Sequence, residues 1–385
     1  MSTPATEGSP SSTRRSWLGT GLLILVLPIA VCLMLLAFLT PALNSGPEDL
    51  PLAVAGPAPA VEQITDALEE RSPGAFEITE YDDAGQAEQA VADREAIGAV
   101  TVGQQSVEIL KASGAGTPYS TMMDGIATGL EEQQKAQAQQ AQGQEQQAPA
   151  QGDQTAAQGG QAQGQQAPSD QPQQAPAQEV TVRDVAPLTD DDPNATAMST
   201  LALPLAFGGM ISAAAFTMLS GNRPAVRALG IIGFSALAGV AVTWVLQSWL
   251  HAVDGDFWAL AGVLALGIAA ISLAVSGLQS VLGGAGLALG AVLMMFVANP
   301  LSGMATGWQW LPQPWGAIGQ QLPIGAAGTA LRSVAFFDGT GMTHALIVLV
   351  CWAAAGLLLI ALSALRKHRK NRTRRADPSA STRSA

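Results

Sequence analysis

Reactive side chains are scarce in this chain of 385 residues, which carries two cysteines, three histidines and four lysines. Cys32 and Cys351 lie in apolar runs without a neighbour at disulfide or metal-ligand spacing, so they read as small core residues. No serine or cysteine stands beside a histidine, which leaves hydrolytic catalysis without support. A phosphate loop of the form GxxxxGK followed by Ser or Thr is also missing, so the chain does not hydrolyse ATP by that route. The expectation is a protein that is not an enzyme, with no cofactor and no metal. His251, Asp254 and Asp256 crowd together, but three ligands on six residues lack a recognised spacing, and a polar turn between helices is the better reading. Asp338 and His344 read likewise as a turn and a helix start. The shortage of lysine beside abundant Ala, Gly and Pro suits a GC-rich bacterial genome.

Charge is missing too, and its absence is organised. From Leu201 to Val297 only Arg223, Arg227, Asp254 and Asp256 are charged, and the apolar runs between them approach the ~20 residues a helix needs to cross a bilayer. Lipid offers the backbone no hydrogen bonds, so such runs must be helices and the charges mark their connections. Spans are expected at Trp17–Thr40, Met198–Leu219, Ala228–Leu250, Trp258–Ser276, Val281–Val297 and His344–Leu365, six in all. None of these contains Asp, Glu, Lys or Arg, which disfavours a pump driven by its own proton relay. Small residues four apart, Gly208 with Ser212, Gly209 with Ala213 and Gly286 with Gly290, suit close helix packing within the bundle or between two copies in a homodimer.

What charge there is sorts by position. The net charge is −12, yet Pro41 to Ala197 holds 25 acidic against 5 basic residues, while Arg366 to Arg375 holds seven basic and no acidic ones. Arg14-Arg15, Arg223 with Arg227, and the tail fall on alternate connections, so the positive-inside rule gives a multi-pass bacterial cell membrane protein with both termini cytoplasmic. The basic tail suits attraction to anionic membrane lipid rather than nucleic acid.

Residues 1–16 then form a cytoplasmic tail, 17–40 the first helix, and 41–130 an extracellular α/β domain. Within that domain Leu50–Ala55 and Phe76–Tyr81 read as strands, Ala58–Arg71 and Gln86–Arg94 as helices, and Ile97–Val102 with Val107–Lys111 as a hairpin. Residues 131–178 are Gln, Ala, Gly and Pro with no aromatic or branched aliphatic residue, and read as a disordered insertion. Val180–Val185 returns as a strand within the 179–197 lead-in to the membrane. Residues 198–365 form the five-helix membrane domain, and 366–385 the basic cytoplasmic tail. The fold class is an α-helical polytopic membrane protein of six transmembrane helices with a small α/β domain. Between the fifth and sixth spans, Asn299–Gly341 carries Trp308, Trp310 and Trp315 among prolines, with Leu331–Phe337 as a short helix, and reads as a re-entrant or surface-lying extracellular cap.

Several stretches carry a resemblance. They are Leu50-Pro51-Leu52-Ala53-Val54, Ala92-Asp93-Arg94-Glu95-Ala96-Ile97-Gly98-Ala99-Val100, and Asp184-Val185-Ala186-Pro187-Leu188 with Asp191-Asp192-Pro193. To these add Asn299-Pro300-Leu301-Ser302-Gly303, Leu322-Pro323-Ile324-Gly325-Ala326, and Leu331-Arg332 with Phe336-Phe337-Asp338-Gly339. With one span, a large outer domain and five more spans, the chain resembles the bacterial ABC type 2 transporter permease superfamily, in particular its phage-infection-protein-like branch. The resemblance implies the membrane component of an exporter for hydrophobic or amphipathic molecules, usually dimeric and powered by a separate ATPase subunit. On that expectation Trp308, Trp310, Trp315 and Arg332 belong to the extracellular cap, Arg223 and Arg227 to a cytoplasmic loop contact, and Gly208, Gly209, Gly286 and Gly290 to helix packing. A second reading is a non-transporting envelope scaffold, such as a secretion-system accessory protein, or a phage receptor, which the short cytoplasmic connections favour.

Overall fold

The computed structural model describes residues 29, 32, 35, 36, 38–40, 43–103, 106–145, 179–221 and 223–376. The chain divides into two compact units, Asp49–Pro187 and a helical unit made of Met1–Glu48 with Leu188–Ala385.

The first unit is a five-stranded mixed sheet with helices on both faces. Its elements are β1 (Leu50–Ala55), α1 (Ala58–Arg71), β2 (Phe76–Tyr81), α2 (Ala84–Ala92), β3 (Gly98–Val102), β4 (Ser106–Lys111), α3 (Thr117–Glu145) and β5 (Glu179–Asp184). Strand order is β2-β1-β3-β4-β5; β3 and β4 pair antiparallel as the expected hairpin, and all other neighbours are parallel. Side chains alternate across a strand, so Leu52, Val54, Val100, Val102, Val107 and Ile109 share one face. They build a core there with Val61 and Leu68 of α1 and Met123 and Ala127 of α3. The helix α2, started by Asp83 accepting from the Gln86 amide at 2.9 Å, packs against β1 and β3 and buries Ala87, Ala90 and Val91.

On that same face Arg183 of β5 makes two 2.7 Å bonds to Glu88 of α2 and one of 2.7 Å to Glu108 of β4. The hydrogen bonds from Arg183 hold the Glu88 carboxyl below the ordinary carboxylate range. A carboxyl lowered on folding stabilises above its unfolded pKa, and that contribution is lost as pH falls through the folded value. The pair is close to half-exposed, so solvent screening keeps its worth under about 1 kcal/mol. Acidifying from neutral pH through the carboxylate range is therefore expected to lower the protection factors of α2, the exchange rates corrected for the intrinsic rate at each pH, by a few-fold in the intact protein. In Glu88→Gln that pH step should vanish; an unchanged step would assign it to other carboxylates.

The Gln-rich stretch departs from expectation at its start. α3 continues through Glu131 to Glu145, 29 residues in all, because Gln, Ala, Glu and Lys are good helix formers and Glu131 pairs with Lys135 one turn on at 3.3 Å. The rest of the expected insertion, 146–178, lies outside the described residues, as does most of the expected first span at 17–40.

The second unit is helical: α4 (Thr196–Ser220), α5 (Pro224–Trp249), α6 (Phe257–Leu282), α7 (Gly284–Ala298), α8 (Trp315–Gln320), α9 (Pro323–Phe336) and α10 (Thr343–Ala376). Four of them, α4, α5, α6 and the part of α10 up to Lys367, are long and apolar enough to cross a membrane. Asp192 starts α4, its carboxylate accepting from the Thr196 and Ala197 amides at 2.7 and 2.8 Å. α6 is the hub, buried along most of its length and touching α4, α5, α7, α9 and α10. It runs on through Gly277–Ser280, which the sequence suggested as a connection, and stops at Gly283, whose φ of +65° suits glycine and whose amide closes onto the Gln279 carbonyl at 2.8 Å. α7 consequently begins at Gly284 rather than Val281 and has 15 residues, about 22 Å, shorter than the ~30 Å hydrocarbon core. Cys351 stands exposed on α10 and Cys32 is exposed as well, so neither is the core residue its apolar run suggested.

Candidate functional site

The helices order themselves along α6. On α4, Gly209 meets Ile271 and Thr217 meets Ser276; on α10, Gly356 meets Leu273 and Ser363 bonds the Ser280 carbonyl. Both therefore run parallel to α6. Gly239 of α5 packs on Ala261 and Ala265, while Gly286 and Gly290 of α7 meet Leu278 and Val275, so these two run antiparallel. The proximal end is taken here as the one where α6 begins, and the distal end as the one where it stops.

The helix α9 is the best-buried element of the unit, with Pro323–Gly328 and Ala330–Ala335 all buried. Its Val334 meets Gly255 at the proximal end and its Ala327 meets Gly267, ten residues into α6. The corner between α8 and α9 lies against the first turns of α10, where the Gln321 carbonyl accepts from Trp352 Nε1 at 2.8 Å and its side-chain amide meets His344 at 3.1 Å. From Ala327 to Val334, α9 thus runs back toward the proximal end. The segment expected as a cap therefore contributes α9 to the interior of the helical unit. Backbones pass very close in this region, and a Cβ on Gly316, Gly319 or Gly325 would overlap the carbonyls of Trp308, Leu301 and Gly319 respectively.

Polar groups buried here are tied to the turn. Gln320 donates to the Ser302 carbonyl at 3.2 Å and accepts from Thr329 Oγ1 at 2.6 Å. Arg332 is 2 % exposed and donates through Nη2 to the Met304 carbonyl. Met304 borders a cavity of about 260 Å³ between the start of α4 and the 299–311 segment, lined by Ser45, Ser199, Asn299, Ser302 and Thr306 together with Phe38, Met304 and Leu311. A mixed lining of this kind accommodates an amphipathic group. Trp308 and Trp310 form a single 3₁₀ turn, half-buried, and Trp315 is exposed at the start of α8.

Of the other residues singled out from the sequence, Arg223 is exposed at the start of α5. Arg227 was expected in a connection, but Pro224 opens α5 three residues earlier, so Arg227 lies inside the apolar helix and is 7 % exposed. Among the candidate packing glycines, Gly209, Gly286 and Gly290 face α6, whereas Gly208 has open space around its missing Cβ. Gly277 and Gly356 make equally close contacts without a small residue four positions away, whereas Gly239 has Ser235 at that spacing and was not among the candidates. Serines and a threonine at helical spacing were missed too: Ser212 and Ser272 bond at 2.6 Å, and Thr217 and Ser276 at 3.3 Å, making a hydroxyl seam between α4 and α6. Asp256 caps α6 through the Ala259 amide at 2.7 Å, which gives it a structural task, and His344 bonds Gln321 at 3.1 Å.

No family model matches the chain, nor does any curated protein or solved structure.

Proposed function

We propose that this protein is a non-enzymatic, membrane-spanning component of an exporter for hydrophobic or amphipathic molecules, with a separate chain supplying the energy. The observation that carries the reading is the segment from Asn299 to Phe336, whose irregular first part lines a cavity of mixed polarity and whose helix α9 is buried inside the bundle. Non-helical backbone is tolerated within a membrane where protein surrounds it or where it lines a water-filled path. The sequence resemblance to ABC type 2 permeases points the same way.

Six spans remain the favoured count, with 17–40 as the first and α7 as a short fifth. Both termini are assigned to the cytoplasm. Acidic Asp254, Asp256 and Asp338 lie at the proximal end with exposed Trp249 and Trp258, while Arg223, Arg366, Lys367 and Arg369 lie at the distal end. That division follows the positive-inside rule and the aromatic belt. One observation favours an envelope scaffold or receptor instead: the distal connections are Gly221 to Arg223 and the single residue Gly283, which leave an ATPase little to grip.

The test has two arms. Purified in mild detergent, the tagged protein should bring down a stoichiometric ATPase whose activity depends on it; recovery of the chain alone, without ATPase activity, would move the reading to the scaffold. In a cysteine-free background on whole cells, a cysteine at Asp254 should react with an impermeant thiol reagent and one at Thr373 should not. Labelling at Thr373 would overturn the orientation.

A further inference from the structure

Among the described residues, no acidic group pairs with the charge of Arg227. The residue is 7 % exposed, and among the described residues its Nε has no partner and its one side-chain hydrogen bond is a long one of 3.5 Å from Nη1 to Thr217 Oγ1. Thr217 is itself engaged, bonding the Ala213 carbonyl at 2.7 Å and Ser276 at 3.3 Å. Between Thr196 and Ala376 the chain has three acidic residues, Asp254, Asp256 and Asp338, and all three belong to the proximal end. The distal end adds Arg223, Arg366, Lys367 and Arg369. A buried guanidinium without a counter-charge is costly, and such groups are held by paired anions.

Its depth indicates what kind of anion. Arg227 is one turn into α5 and Thr217 one turn from the end of α4, so the guanidinium lies about 5 Å inside the helix ends. That is the level of lipid headgroups rather than of acyl chains. Residues Gly221 and Arg223, both exposed, rim the corner above it. A guanidinium offers a planar fork of donors that matches phosphate oxygens in pairs.

We infer that the α4–α5 corner is a binding site for a phosphate-bearing anion, with Arg227 as its central donor and Arg223 at its rim. The phosphate comes from an anionic lipid headgroup or from a soluble phosphate, and the site is independent of whether the chain exports anything.

The test follows thermal unfolding of the detergent-purified protein by tryptophan emission at constant ionic strength, with phosphatidylglycerol, phosphatidylcholine or inorganic phosphate added. Phosphatidylglycerol should raise the midpoint by on the order of 3 °C over phosphatidylcholine, as expected for a ligand held by the folded state alone. Arg227→Gln should lose most of that shift, and Arg366→Gln with Lys367→Gln, which leaves the corner intact, should keep it. A shift with inorganic phosphate as well, lost in the same variant, assigns the site to soluble phosphate; a shift with phosphatidylglycerol alone assigns it to lipid. If Arg227→Gln does not fold, Arg227→Lys replaces it: a point charge in place of the fork should lose at least half of the shift. Wild type that responds to neither additive, or an Arg227 variant that keeps the full response, overturns the site.

Discussion

Replacing Gly356 with leucine is expected to destroy the helical unit rather than weaken it. A Cβ at this position would overlap the carbonyl of Leu273 and stand 2.6 Å from the Ala274 nitrogen, so what it meets on α6 is backbone and not a side chain that could turn aside. From the other helix, a Cβ on Gly277 would stand 2.7 Å from the Gly356 carbonyl. Two glycines thus face each other and set the distance between α6 and α10. Adding methylenes to a well-packed core costs about 1–3 kcal/mol when neighbours can adjust. Here they cannot, and the helices must separate along their length, also losing the 2.7 Å bond from Ser363 to the Ser280 carbonyl. The expected loss exceeds about 3 kcal/mol, with aggregation on size exclusion in detergent. Gly356→Ala should lie between, and Gly208→Ala, which points into open space, should behave as wild type. A Gly356→Leu protein that remained monodisperse with an unshifted midpoint would show that α6 and α10 do not pack as described.

How far such contacts can be read in advance depends on what the sequence pattern encodes. Long charge-free runs announce helices in lipid because composition alone decides them, and α4, α5, α6 and α10 were legible for that reason. Alternation announced the outer strands β2 and β5, whereas β1 and β3, buried on both faces between α1, α3 and α2, showed as short apolar runs. The helix α9 gave almost no signal. Protein surrounds it on every side, so apolar and small residues occupy its whole circumference, and no period of 3.6 survives in Gly325-Ala326-Ala327-Gly328. Only its last residues, from Leu331, were foreseen. Arg227 was misplaced by a four-residue difference in helix start, Pro224 instead of Ala228, a small boundary shift that turned a connection residue into a buried charge. The close-packing glycines were half legible: a spacing of four finds Gly286 with Gly290, but Gly277 and Gly356 find their partners on another helix, and no single-chain pattern records that. The candidate site shared this fate, because its cavity joins Ser199 to Asn299 and Thr306, residues a hundred positions apart.

Arg332→Ala is expected to be the most damaging change within that site. Arg332 is 2 % exposed on a helix buried all round, and it donates to the Met304 carbonyl across 28 residues of chain. This bond ties the irregular wall of the cavity to α9. Hydrogen bonds from a charged donor are worth about 1.5–3 kcal/mol, and truncation would also leave the Met304 carbonyl without that donor and open a void where the side chain lay. A total near 3 kcal/mol follows, with the 299–311 segment loosened before the rest of the bundle. Arg332→Lys should recover little of it, because a lysine ammonium cannot reproduce the planar fork that fits this enclosed position. Hydrogen–deuterium exchange in detergent reads the local effect: peptides covering 299–311 should exchange at least ten-fold faster, while those from the β-sheet unit stay as in wild type. On the exporter reading, transport should fall with them, since the cavity would no longer hold its shape. Uniform acceleration throughout the helical unit would mean that Arg332 supports the bundle at large, and unchanged exchange at 299–311 would mean that the bond to Met304 does not hold the segment at all.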